Sequence, residues 1–483
     1  MFRILFKKEL LENLQNQRFL LALLLCLVIV PLGFFVNQRE RADRQASYEA
    51  TLEDYEQTHA TAGDVLRNGA AAFRPPAAMG VLAAGIEMAL PNAVETKGYI
   101  SYEGVQVQFN NSRRLDTPFP VLYGRLDLAF IVTVVLSVLV MIFAFNAIAG
   151  EKERRTLAQV MSNPVPRPTV IAAKMAAAAV LIAAAFLAGV AAGVLVIETA
   201  GHDILSGSGQ AATLAVGVGA SLLYLVVFLS LGLLVSTLSR SSAAAMVTLL
   251  SCWVALFMIL PKASVAVSKL VCRVKSQQVI DLEKAQLRLQ SQTELGKAIE
   301  DLTKSTSGIK DMSMDQYTKA IQAKDPAVTA FEEAQDKIND DSRARLEDAL
   351  DRVDADLEMR KGRQAGIART IARLSPMSCL VHVLTELAGT GFTEERAWRE
   401  TRARLKQTID REVSSKTIMH RFGMLAYGGS NIDRNAPAPK FPPLVVSLGA
   451  RLSAVWIDLA LLGIYGLLFF AAAYVAFLRF DVR

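Results

Sequence analysis

Cysteine and histidine are scarce in this sequence, four of each among 483 residues, and that scarcity narrows its chemistry. No paired Cys-x-x-Cys and no close Cys–His pair occurs, so the spacing that a zinc centre or a redox dithiol needs is missing. No nucleophile–base pair stands out either, which leaves a membrane enzyme without support. Cys26 and Cys252 sit inside apolar runs, where they pack as small hydrophobes. Cys272 and Cys379 fall in polar sequence, and whether they pair stays open, because sequence does not supply the geometry. No Gly-x-x-x-x-Gly-Lys-Ser/Thr phosphate loop occurs, so this chain does not hold ATP in the usual manner. The net charge of +6 is mild. It follows the sidedness of the loops described below, and gives no reason to expect a nucleic-acid partner.

What the chain has is apolar length. It is 52% hydrophobic and 20% charged, too apolar for an ordinary soluble protein and too charged to lie wholly in lipid. A span needs roughly 20 apolar residues. Six runs come close, at 19–36, 128–149, 169–198, 212–237, 243–260 and 454–478. The expected fold is an all-α membrane protein with six transmembrane helices. Residues 1–17 form an interfacial helix, with Phe2, Leu5, Phe6, Leu10 and Leu14 on one side at helical spacing. Lys and Arg gather in the N-terminal stretch, in the 150–168 connection, at Arg240 and in the tail, while the 199–211 connection has none. By the positive-inside rule both termini face the cytoplasm, and 37–125 and 261–452 lie outside the cytoplasmic membrane. Lys174 reads as snorkelling from the start of the third run.

The outer region 261–452 is expected to be mainly helical and to hold a long hairpin. Val271, Val274, Leu282, Ala285, Leu289, Ile299 and Leu302 mark one arm by a 3–4 rhythm. Phe331, Ala334, Ile338, Leu346, Val353 and Leu357 mark the other. The hairpin reaches an external partner or packs on its twin. Met377, Leu380, Val381, Leu384 and Leu387 predict a short amphipathic helix at the outer interface, and 435–443 an extended lead into the last span. In the first outer loop, the alternation in 99–110 predicts a strand.

Ionisable residues within the runs are few, which argues against a proton-driven carrier. Asp127 reads as the cap of the second span. Asp458, in the last span, is a functional candidate by position, or meets headgroup water or a partner helix. The four histidines are scattered and nothing in sequence joins them. Gly189 and Gly193 form a Gly-x-x-x-Gly in an alanine-rich span, which permits close helix packing within the chain or at a dimer face.

The most informative stretch is 150–174, a charged patch between two membrane-grade runs. Glu151 and Glu153 suit a helix start. Leu157, Val160 and Met161 make a small apolar face, and Asn163, Pro164 and Pro166 end the helix. So short a helix must lie on something. Either it rests on lipid or on its own bundle, or it plugs into a cytoplasmic partner.

This stretch resembles the coupling segment of ABC-type exporter permeases, an ABC-2-like family whose pattern is matched by Gly150, Glu151, Glu153, Thr156, Leu157, Pro164, Arg167 and Lys174. One departure is Arg155, where the family usually carries Gly. The amphipathic start, the large first outer loop, "LSP" at 374–376, "ELAGTG" at 386–391 and the closing "FLRFDVR" are similar to the permease subfamily related to nitrous-oxide-reductase maturation. The resemblance implies a membrane subunit that is not itself an enzyme, with no cofactor of its own; ATP and Mg belong to a separate dimeric ABC ATPase. Its coupling surface would be Glu151, Glu153, Arg154, Arg155, Thr156, Leu157, Val160, Met161, Pro164 and Arg167. A second permease copy or paralogue and membrane lipid are the other implied partners. The function so implied is ATP-driven export. The alternatives are mechanotransmission, in which ATP turnover moves the outer domain and nothing crosses, and a membrane-anchored coiled-coil scaffold or sensor.

Overall fold

The computed structural model describes residues 1–483 except 62–63, 66–67, 88–91, 102–103, 113–124, 163–165, 202–206, 208, 307, 310–311, 324, 410–436, 439–445 and 480–483. In chain order, α1 (Phe2–Leu14) leads into α2 (Gln17–Thr58), and then into strands β1 (Ala71–Phe73), β2 (Ala93–Ser101) and β3 (Gly104–Ser112). Next come α3 (Leu128–Glu153), α4 (Thr156–Ser162), α5 (Arg167–Thr199), α6 (Gln210–Leu238) and α7 (Ser242–Val271). The chain continues through α8 (Gln277–Ser305), α9 (Met314–Gln322), α10 (Pro326–Ala372), α11 (Pro376–Ala388), α12 (Phe392–Ile409) and α13 (Leu448–Arg479). Six helices among the described residues, α2, α3, α5, α6, α7 and α13, are long and apolar enough to cross a membrane. The protein is an all-α membrane protein with one small antiparallel sheet, ordered β1-β2-β3. The alternating stretch forms the last three residues of β2 and the first seven of β3, two strands and not one, with Ile100 opposite Val105.

The chain divides into two units, Met1–Pro261 with Ala372–Arg483, and Lys262–Ile371. In the first, α5 lies along α2 because its two glycines let the backbones meet. A Cβ at Gly189 would sit 2.7 Å from the Cys26 carbonyl oxygen, and one at Gly193 would sit 2.9 Å from the Phe34 ring. These glycines therefore serve packing within the chain. α2 does not end with its apolar run at Val36. It continues as one helix to Thr58, past Pro31. Gly33 admits the chain leading into α3, since a Cβ there would lie 2.7 Å from Leu126 O. Asn37 Nδ2 donates to the same oxygen at 2.8 Å.

Both α3 and α7 contain a π-helical stretch, Ile131–Leu136 and Ala255–Ile259. The apolar face of α11 is turned into the bundle. Cys379, Leu380, Val383, Leu384 and Leu387 are fully buried in the main core, because the apolar face meets α6 and α13 rather than lipid. Of the expected lead at 435–443, only Pro437 and Ala438 lie within the described residues; Pro437 bridges to Thr61.

The second unit is a helical hairpin. α10 has 47 residues, about 70 Å of helix. Lys284 Nζ meets Asp354 at 2.6 Å and Ser291 faces Ser342 at 3.4 Å, which sets the register of α8 against α10. Ile280 and Leu357 are buried, whereas Val271, Leu282 and Leu289 are exposed. The expected seam on α8 is therefore corrected. Its apolar residues are spread over two faces, and a 3–4 rhythm does not say which face the partner helix takes.

A candidate coupling site at the terminal end of the bundle

The α1 helix, the 149–162 segment, the end of α6, the start of α7 and the end of α13 meet at one end of the first unit. Here the 149–162 segment is fastened by bonds to α5, α6 and α7, and α5 is tied in turn to α1 and α13. Ser236 Oγ on α6 accepts from Ile148 N at 3.0 Å and Ala149 N at 2.9 Å, satisfying donors that open the Ala149–Glu153 turn. Lys152 Nζ donates to the carbonyls of Thr237 and Ser239, capping the end of α6 with a cation. Glu153 Oε2 accepts from Ser242 N at 3.1 Å and so helps cap α7. Arg167 Nη1 donates to Leu478 O at 2.9 Å, at the end of α13.

An ion cluster ties the segment to α5. Lys174 Nζ on α5 reaches Glu151 Oε1 at 2.7 Å and Glu9 Oε1 on α1 at 3.0 Å. The Lys174 side chain is only 9% exposed, so the expected snorkelling is corrected: the ammonium turns inward to two carboxylates instead of outward to water. Glu9 was not singled out from sequence. An acid in the apolar stripe of α1, spaced with Phe2 and Phe6, was the available signal for a buried cation opposite it.

The apolar face of α4 is also turned inward. Leu157 is 2% exposed and packs with Ile148, Val170, Ile171, Leu233, Ala473 and Phe477, with Met161 against the same cluster. Among the readings open in sequence, the bundle is what this face rests on. Leu157 is thus a fastener rather than a free knob. Glu153, Arg154, Arg155, Gln159 and Ser162 make up the exposed side, and Thr156 is half-buried. The side chain of Val160, with Asn163 and Pro164, lies outside the described residues.

Between the turn and α4 the chain bends at Arg155, whose φ of 57° is the left-handed conformation, and no other non-glycine among the described residues has a positive φ. This is the position where the resembled pattern carries Gly. A side chain there costs about 1–2 kcal/mol relative to glycine. Arg155→Gly is therefore expected to raise stability by about 1 kcal/mol, read as a higher denaturation midpoint of the purified chain. An unchanged or lower midpoint would mean the bend is not strained.

The two candidate acids lie toward the opposite end. Asp127 Oδ1 accepts from Phe130 N and Oδ2 from Ala84 N, both at 2.8 Å, so it caps α3 and holds the 77–87 loop. Asp458 on α13 is 1% exposed. It takes a two-pronged bond from Arg373, Nε to Oδ1 at 2.8 Å and Nη2 to Oδ2 at 3.0 Å, and it faces His382 Nδ1 at 3.1 Å. His382 is therefore joined to a cluster, contrary to the scattered reading; Asp458 lies 76 residues from His382 and 85 from Arg373 in sequence, and no local pattern links it to either. His202 and His420 lie outside the described residues. All four cysteines are free, Cys272 and Cys379 included. Among the described residues no group of His, Cys, Asp and Glu could hold a metal ion.

The sequence profile of the family described as "ABC-2 family transporter protein" matches residues 3–482. The comparison with curated proteins gives no match.

Proposed function

The chain belongs to the ABC-2 transporter family, and from that premise we propose that it is a permease subunit driven at its terminal end by a separate ATPase. Permeases of this family are membrane subunits without an ATPase site of their own, and membership implies an ABC ATPase partner. On this reading the terminal end faces the cytoplasm, the ATPase grips the exposed side of 149–162, and the cargo moves outward. The observation that carries the reading is the fastening of that segment. It is tied to α5 through Glu151 and Lys174, to α6 through Ser236 and Lys152 and to α7 through Glu153, and α5 is tied in turn to α1 through Lys174 and to α13 through Arg167. A push on so short a piece is not absorbed locally; it reaches four spans and the interfacial helix together.

The inward turn of Leu157 moves the proposed contact to the polar side, where Arg154 and Arg155 offer charge and Gln159 hydrogen bonds. Pairing with a second permease is part of the same proposal. Val247, Leu250 and Met258 of α7 and Leu467 and Leu468 of α13 are exposed apolar residues that lipid or a second copy would cover.

The test is charge reversal on the exposed side. Arg154→Glu with Arg155→Glu is expected to leave the denaturation midpoint within about 1 kcal/mol of wild type. It should also reduce co-purification of the ATPase at least tenfold, and ATP turnover of the complex with it. Unchanged co-purification and turnover would remove the segment from the contact.

A further inference from the structure

At the end of the first unit opposite the α1 helix, four arginines crowd around few carboxylates. Arg41 Nε donates to Ala77 O at 3.1 Å, and Arg44 Nη1 lies 3.2 Å from Glu87 Oε2. Arg74 Nη2 donates to Glu87 O at 2.8 Å, and Arg125 Nη2 pairs with Glu40. Arg44 is close enough to the other three for its charge to act on each of them. Among the described residues, the acids that face this group are Glu40, Glu87 and Asp127, and Asp127 gives both oxygens to backbone donors. Glu394, also near Arg74, is engaged by Arg451 at 3.2 Å. Four guanidinium groups thus share three carboxylates, with the fifth arginine and fourth acid paired to each other.

The donors are not used up. The Arg125 side chain is 7% exposed, and its Nε is buried with no hydrogen-bond partner; the same holds for Arg74 Nε and for one acceptor of the cluster, Glu87 Oε2. A buried guanidinium N–H without an acceptor is costly, more so for a charged group. Burial weakens the hold of both side chains on their protons, and Arg44 weakens it further.

Height in the membrane narrows what would fill the place. The apolar run of α2 ends at Val36, and Glu40 to Arg44 follow four to eight residues on, about 6–12 Å further along the helix. Arg125 stands three residues before Leu128, where the apolar run of α3 begins. Headgroups occupy roughly the 5–8 Å beyond each side of the hydrocarbon. Glu40, Arg41 and Arg125 therefore stand near headgroup level on the side opposite the α1 helix, and Arg44 reaches back toward it from about one turn further out.

We propose that Arg44, Arg74 and Arg125 form a binding site for a phosphate ester anion, that of an anionic lipid headgroup. Arginine suits the role, because its planar fork meets phosphate oxygens two at a time. Such an anion would accept from the two orphan Nε–H groups and balance the excess cation. The site is independent of how the bundle is driven.

The experiment uses the purified full chain and two probes, phosphatidylglycerol in mixed micelles and soluble glycerol 1-phosphate, with diacylglycerol as the uncharged control. Binding is read by native mass spectrometry and by the shift in melting temperature. Wild type is expected to retain phosphatidylglycerol, and Arg74→Gln to lose about tenfold in affinity, the effect of removing one charge-assisted contact. The paired variant Glu40→Gln with Arg125→Gln keeps the net charge and should lose as much. If that variant does not fold, Arg74→Gln decides alone. Binding of phosphatidylglycerol without glycerol 1-phosphate assigns the site to lipid; binding of both assigns it to phosphate esters at large. Binding of neither, binding of diacylglycerol equal to that of phosphatidylglycerol, or equal affinity in wild type and variants, overturns the site.

Discussion

Lys174→Met is expected to destabilise the chain by about 3–5 kcal/mol, the cost of removing one partner from a buried ion cluster. The lysine is the cation between Glu9 and Glu151, and its side chain is 9% exposed. Methionine fills similar volume but leaves Glu9 buried and Glu151 half-buried without their cation, each carboxylate repelling the other. A structural role and a coupling role separate in the triple variant Glu9→Gln, Glu151→Gln, Lys174→Met. That variant buries no charge at the cluster, so its stability should return to within about 1–2 kcal/mol of wild type. Its ATPase coupling should stay low, because the tie between α1, α5 and the 149–162 segment is gone. Denaturation midpoints and the ATP turnover of the complex measure the two effects. A single variant as stable as wild type would mean that the cluster is hydrated and does not fasten the segment.

Asp458→Asn should cost about 3 kcal/mol, measured as the same midpoint shift. The substitution keeps the shape and removes the charge that answers Arg373 and His382. Arg373 then keeps a guanidinium 22% exposed, opposite an amide that offers one acceptor where there were two. The cluster also holds the chain entering α11, since Tyr465 Oη donates to Arg373 O at 2.8 Å and Cys379 Sγ to the same oxygen at 3.4 Å. Replacing both charges, Arg373→Gln with Asp458→Asn, is expected to be milder than Asp458→Asn alone. Equal losses in the two variants would show that the cost comes from packing and not from the unpaired charge.

How much of this was legible in sequence differs from residue to residue. Long apolar runs announce spans because the lipid requirement is local and cumulative, and the cap at Asp127 is local too. The departure at Arg155 was visible as a residue, and only the backbone shows its bend. Leu157 was legible as part of an apolar face, but periodicity says which residues share a face, never what the face meets. The same limit misplaced the seam on α8, where Leu282 and Leu289 hold the rhythm on the wrong side. It also left unnamed the partners of α11, whose face is buried against α6 and α13. The Arg373–His382–Asp458 cluster and the Lys174 cluster join residues far apart in the chain. Their signals were single charges inside apolar patterns, Glu9 on α1 and Asp458 on α13, and each marks the need for a partner without naming it.

The central claim is that the exposed side of 149–162 is where a separate ATPase takes hold. A photo-crosslinking residue placed at Arg154 or Gln159, in membranes that also contain the ATPase, tests it most directly, with Thr393 at the opposite end as the control position. The account predicts an adduct with the nucleotide-binding subunit at 154 and 159, its yield changing when ATP is added, and none at 393. No adduct at either position, or equal yields at all three, would contradict it.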